Sequence, residues 1–95
     1  FPYTTLFRSV CGEDVINGKP NPEIFLKASE KLGVAPKDCI VIEDSLAGIK
    51  GAYAGGMIGF HVQDLKIADE DILRYCNKNF MNLKEIKDYI SEVFK

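Results

Sequence analysis

No stretch of about 18 apolar residues runs through this sequence, and its first residues lack a charged segment followed by a hydrophobic one, so neither a membrane-spanning helix nor a signal peptide is expected. A cytoplasmic location follows as the default. Charge of one sign is also lacking. Lys and Arg number 12 against 14 Asp and Glu, a formal net charge of −2, so the chain carries no basic footprint for nucleic acid and no polybasic membrane patch. Partners must be sought at a site. Cysteine is scarce: Cys11, Cys39 and Cys76 form an odd set without C-x-x-C spacing, and His61 is the single histidine. That pattern excludes a disulfide framework and a zinc site and predicts reduced, buried cysteines. All four residues are expected to be dispensable for chemistry. What remains is 95 residues with 46% hydrophobic and 27% charged content, the composition of one small globular unit with a modest core.

Residues 1–9, Phe1-Pro2-Tyr3-Thr4-Thr5-Leu6-Phe7-Arg8-Ser9, match a widely used sequencing adapter translated in one frame. They are read as a non-native segment, set aside from fold reasoning, although their aromatic and β-branched residues would also suit a strand. The native protein would then begin upstream of Val10 and have been cut.

From Val10 onward helical and strand-like segments alternate. Asn21 can cap a helix with Pro22 at its first position and Glu23 in its first turn, and Ile24, Phe25, Ala28 and Leu32 give it an apolar face that ends at Gly33. Pro36-Lys37-Asp38 reads as a turn. Cys39 to Ile42 is a short, continuous apolar run, as expected for a strand covered on both faces of a parallel sheet. Ser45 is placed to cap a helix over Leu46–Ala54, where Gly48 would permit close approach and Gly55-Gly56 mark the end. Met57 to Val62 supplies the next strand, and a right-handed parallel crossover is the expected connection. Asp69 to Tyr75 could form a short helix, Phe80-Met81 an edge strand, and Asn82 the cap of a last helix with Leu83, Ile86, Ile90, Val93 and Phe94 in one stripe.

Glu43 and Asp44 emerge where the first strand ends, and open α/β sheets bind ligands beyond the carboxyl ends of their strands. Magnesium takes one or two carboxylates together with water and phosphate oxygens, so Asp44, with Glu43 second, is a candidate ligand set. The start of the Ser45-capped helix would present N–H groups to an anion. The plainer alternative is an acidic turn assisting a helix dipole. Lys19 lies between Gly18 and Pro20, and prolines at 20 and 22 disfavour α conformation at Lys19 and Asn21, which predicts an extended, stiff loop. A pre-organised cation suits a transferring phosphoryl group. A loop lysine is otherwise usually a solvated surface charge.

Taken together, Gly18-Lys19-Pro20-Asn21-Pro22-Glu23-Ile24-Phe25-Leu26, Leu32-Gly33-Val34, Cys39 through Ser45, Ala47-Gly48-Ile49 and Ala54-Gly55-Gly56-Met57 resemble the haloacid dehalogenase-like hydrolase superfamily, in its β-phosphoglucomutase and phosphoglycolate phosphatase branch. The resemblance covers about residues 10–95. It implies an α/β fold: the C-terminal part of a three-layer α/β/α, Rossmann-like core with a parallel sheet, lacking the nucleophile strand and the cap domain. By that resemblance Lys19 bridges nucleophile and phosphoryl oxygens, Asp44 is the magnesium ligand, and Glu43 is a second or water-mediated one. Ser45 follows the acidic pair, mainly as a cap and also beside the phosphate. The implied activity is Mg2+-dependent hydrolysis of a small phosphorylated metabolite through an aspartyl-phosphate, by a parent expected to be monomeric.

Two family motifs have no counterpart here: the Asp-x-Asp-x-Thr/Val segment and the strand ending in serine or threonine. Asp69-Glu70-Asp71 is the nearest approach to the first, without an apolar strand before it. Covalent catalysis needs its nucleophile, so these 95 residues alone are expected to be inactive. In the family the nucleophile strand lies beside the strand 39–42, whose edge would be left unpaired. The isolated chain is therefore expected to be marginally folded, and a sharp, cooperative melt at high temperature would contradict this. A sugar-phosphate mutase of the β-phosphoglucomutase type shares the core and is the alternative within enzymes. A receiver-like or interaction module is the alternative outside them, disfavoured because Lys19 precedes Asp44.

Overall fold

The computed structural model describes residues 15–63 and 67–93. The adapter-like segment 1–9, Cys11 and Phe94 lie outside the described residues. Three strands form one parallel sheet in the order β1-β2-β3, with β1 over Ile40–Glu43, β2 over Ile58–Val62 and β3 over Lys78–Phe80. The helices are α1 (Glu23–Leu32), α2 (Leu46–Ala54), α3 (Glu70–Tyr75) and α4 (Leu83–Val93), and a single 3-10 turn occupies Pro36–Asp38. This is the parallel α/β architecture expected from the alternating pattern.

Helix α1 begins one residue later than its sequence suggests. Pro22 is the N-cap residue, and Asn21 Oδ1 accepts from the Glu23 N–H at 3.0 Å. At the other end Gly33 sits at φ 69°, in the left-handed region that glycine enters without steric cost. Its N–H donates to Glu30 O at 3.1 Å, and the Val34 N–H donates to Ser29 O at 3.1 Å, so two carbonyls of the last turn are satisfied. Helix α4 starts with a reciprocal pair of caps. Asn82 Oδ1 accepts from the Glu85 N–H at 2.9 Å, and Glu85 Oε1 reaches back to the Met81 N–H at 2.7 Å.

The register between β1 and β2 runs from Ile40 opposite Ile58 to Glu43 opposite His61. Alternation along β2 then divides its side chains between two layers. Phe60 and Val62 join Phe80 and Ile86 in a buried cluster, against which Ile40, Ile58, Tyr89 and Ile90 pack. The rings of Phe60, Phe80 and Tyr89 form a triad with centroids 5.1 to 5.7 Å apart. On the opposite layer, Ile49 and Ala52 of α2 and Ile72 of α3 are fully buried. Burying a side chain of the size of Ile49 or Ile72 contributes about 1.5–3 kcal/mol.

Three expectations need correction. The strand at 39–42 is only partly covered, since none of its residues is fully buried and Ile42 remains 44% exposed, while its place at the end of the sheet among the described residues agrees with the expected unpaired edge. The last strand lies at Lys78–Phe80, earlier than Phe80-Met81, because only Phe80 of its three residues is buried and apolar burial gave no signal for the other two. The described cysteines, Cys39 and Cys76, are free but only half-buried. Burial, and for Cys39 also the Asp38 carboxylate, pushes both thiols up, which keeps thiolate scarce at neutral pH.

Candidate active site

The carboxyl end of β1, the start of α2 and the loop before α1 meet at one corner of the domain. The loop is a tight turn, not the extended segment its prolines suggest. The Asn21 N–H donates to Gly18 O at 3.0 Å, and the Lys19–Pro20 bond is cis. The turn is anchored to α1 through Glu23 Oε2, which accepts from the N–H groups of Ile16 at 2.6 Å and Asn17 at 2.9 Å. Lys19 leaves this turn with its Nζ 5.6 Å from the centroid of Phe25 and 2.7 Å from Glu43 Oε2.

Glu43 is the hub. Its Oε2 accepts from Lys19, and its Oε1 accepts from the Ser45 hydroxyl at 3.3 Å and the Asp44 N–H at 3.2 Å. Ser45 Oγ in turn accepts from the Gly48 N–H at 3.0 Å, the cap expected for α2. The Lys19 side chain is 37% exposed and that of Glu43 13%, so the ion pair is partly screened and serves to orient the lysine more than to stabilise the fold. Asp44 is exposed, and among the described residues its carboxylate accepts no hydrogen bond and joins no ion pair.

The structure thus joins Lys19, Glu43 and Ser45 by direct contacts and leaves the Asp44 side chain open beside them. Glu43 and Asp44 differ in their surroundings. Both Glu43 oxygens are engaged within the protein, and among the described residues no group of three or more His, Cys, Asp or Glu could enclose a metal. One free carboxylate at a strand end fits the habit of Mg2+, which takes one or two carboxylates and completes its shell with water and phosphate oxygens. Alternation along the strand could have revealed the division, since neighbouring residues leave a strand in opposite directions.

Asp69 has other work. Its Oδ1 accepts from the Ile72 N–H at 2.9 Å as the N-cap of α3, and Glu70 and Asp71 occupy the first turn. The acidic run is a helix start. A cavity of about 220 Å³ between α1 and β1 is lined by Phe25, Ala28, Leu32, Cys39, Val41 and Met57 among others, and includes none of Lys19, Glu43, Asp44 or Ser45. Its lining is apolar and contains none of the candidate site's polar groups, so it is not the site.

His61 is fully buried, and sequence reasoning found no partner for it. The structure supplies one: His61 Nδ1 lies 2.7 Å from Asn79 Oδ1. The proton can be assigned from the chain of bonds that follows. The Ala68 backbone N–H donates to Gln63 Oε1 at 3.1 Å, which fixes that atom as an acceptor, and Asn79 Nδ2 donates to it at 3.2 Å. Asn79 therefore turns its oxygen to His61, which must carry its hydrogen on Nδ1. Nitrogen-15 spectra should show a hydrogen on Nδ1. A bare Nδ1 would contradict the assignment.

With this geometry established, comparison with known proteins gives a consistent answer. Residues 5–56 match the family model of the haloacid dehalogenase-like hydrolases. A haloacid dehalogenase-like hydrolase domain-containing protein of Arabidopsis thaliana is 50% identical over 48 residues, 50% of this chain and 15% of that protein. A phosphorylated carbohydrates phosphatase of Thermotoga maritima is 46% identical over 48 residues, 50% of this chain and 22% of that protein. Among solved structures, β-phosphoglucomutase from Clostridium difficile superposes with a TM-score of 0.63 at 29% identity, over 86% of this chain and 37% of that one. The chain belongs to the haloacid dehalogenase-like hydrolase family. It spans well under half the length of these relatives.

Proposed function

We propose that these residues form the lysine and magnesium half of a phosphatase site that hydrolyses the monoester of a small phosphorylated metabolite. The observation that carries this reading is the Lys19 Nζ–Glu43 Oε2 pair at 2.7 Å, held at a strand end beside a carboxylate with no partner among the described residues. Lys19 offsets negative charge on the transferring phosphoryl group. Asp44 would hold Mg2+, which when bound would neutralise phosphate oxygens. Glu43 is the residue that orients Lys19, with any role toward the metal carried through water. Ser45 caps α2 and directs its hydroxyl to Glu43, next to where phosphate would lie. Residues 10–95 act as the C-terminal part of the core and residues 1–9 as a non-native segment.

The nucleophile of an aspartyl-phosphate mechanism has no motif in this sequence, so the 95 residues alone should release no phosphate. The likeness to a phosphorylated carbohydrates phosphatase favours a sugar phosphate as substrate. The likeness to β-phosphoglucomutase supports a mutase as second reading, separable by whether inorganic phosphate or an isomerised sugar phosphate is formed. The test is a chimera in which the Thermotoga phosphatase supplies the nucleophile strand and cap to residues 10–95. It should hydrolyse p-nitrophenyl phosphate only with Mg2+, and Asp44→Ala should abolish that activity. An Asp44→Ala chimera that still turns over with Mg2+ refutes the assignment.

A further inference from the structure

Helix α2 carries glycine at an interior, buried position where alanine would be the better helix former. Gly48 does not adopt a left-handed conformation, since the positive-φ glycines among the described residues are Gly33 and Gly56. Space is what it provides. A Cβ placed on Gly48 would overlap Cγ, Cδ and Oε2 of Glu43. The Glu43 side chain therefore lies directly over the bare Cα of Gly48 on its way to Lys19.

The same residue reaches Glu43 by a second route. The Gly48 N–H donates to Ser45 Oγ at 3.0 Å, and that hydroxyl donates to Glu43 Oε1 at 3.3 Å. Gly48 thus shapes the seat of the carboxylate from below and orients the hydroxyl that holds its second oxygen. With Oε1 fixed, Oε2 is presented to Lys19 Nζ at 2.7 Å. We propose that Gly48 is a positioning residue for Lys19, acting through Glu43, and that Ser45 belongs to the same device. The functional weight of this rests on the reading of Lys19 given above, but its test requires no turnover.

Two measurements on the full chain test it. In the first, lysines are labelled with an amine-reactive reagent and read by peptide mass, with the exposed Lys84 and Lys87 of α4 as references. An ammonium held by a carboxylate is withheld from the reagent, so Lys19 should react about threefold more slowly than the references. It should react as fast as they do in Gly48→Ala and in Glu43→Gln, with no further gain when both are combined. Ser45→Ala should give part of the gain and Ser45→Thr, which keeps the hydroxyl, none. Slow labelling of Lys19 in Gly48→Ala overturns the proposal, as does fast labelling in the unaltered chain.

The second measurement covers a Gly48→Ala chain that merely unfolds. Alanine should lower the melting midpoint when residue 43 is glutamate and raise it in a Glu43→Ala background, where the overlapping Glu43 atoms are gone and alanine's propensity prevails. An equal loss in both backgrounds overturns the proposal. Failure here would leave the phosphatase reading intact, whereas an inactive chimera with normal Lys19 protection would count against that reading alone.

Discussion

Replacing Lys19 by alanine in the active chimera is expected to lower phosphomonoester turnover by roughly 10²–10³, the usual cost of removing one pre-organised electrostatic partner of a developing charge. The loss should fall mainly on kcat, because the lysine is aligned before substrate arrives. Its Nζ is tied to Glu43 Oε2 at 2.7 Å and stands near the Phe25 ring. Lys19→Arg should recover little, since a planar guanidinium prefers a bidentate partner and Glu43 offers one oxygen, the other being bonded to Ser45 and the Asp44 N–H. Steady-state kinetics on both variants decide the matter. Turnover within about threefold of the parent in Lys19→Ala would remove the lysine from the mechanism.

Phe60→Ala should be the most damaging change to the fold, at about 3–5 kcal/mol. Phe60 is 4% exposed on the middle strand, and its ring meets those of Phe80 and Tyr89 at 5.1 and 5.7 Å. Deleting it opens a cavity between β2, β3 and α4 and removes two aromatic contacts that are worth more than their area alone. A small domain has little stability to lose, so urea titration by circular dichroism should find Phe60→Ala largely unfolded without denaturant. Phe60→Leu, which keeps most of the volume, should remain folded with a lowered midpoint. Equal midpoints for Phe60→Ala and the parent would mean that α4 is not packed on the sheet.

Much of this was legible in the sequence, and for physical reasons. The run at 57–62 read as a parallel strand because burial removes alternation along it, the run at 39–42 read as one although β1 is only partly buried, and Ser45, Gly33 and Asn82 announced helix ends through their capping chemistry. The polar strand β3 was read late because its place in the sheet comes from backbone pairing and from the side chains of Asn77 and Asn79, which accept from the Gly59 N–H at 2.7 Å and from His61 at 2.7 Å. Such pairing depends on residues 18 positions away and leaves no local hydrophobic trace. The site divided similarly. Lys19, Asp44 and Ser45 stood out as chemical types at suggestive places. The employment of Glu43 and the reason for Gly48 emerge only once a turn 24 residues upstream of Glu43 folds against the strand end.

The aromatic contacts have an optical consequence. The chain has no tryptophan and four tyrosines, so its near-ultraviolet signal is a tyrosine signal, and the described tyrosines fall into two separate environments. Tyr89 sits in the Phe60–Phe80 triad with the Lys78 ammonium 4.7 Å above its ring, while Tyr53 and Tyr75 meet edge to face at 5.2 Å across α2 and α3. Exchanging Tyr3 and either group for phenylalanine would leave a chain whose fluorescence reports one helical layer at a time. Loss of α4 could then be watched apart from loss of the α2–α3 layer that carries the lysine anchor.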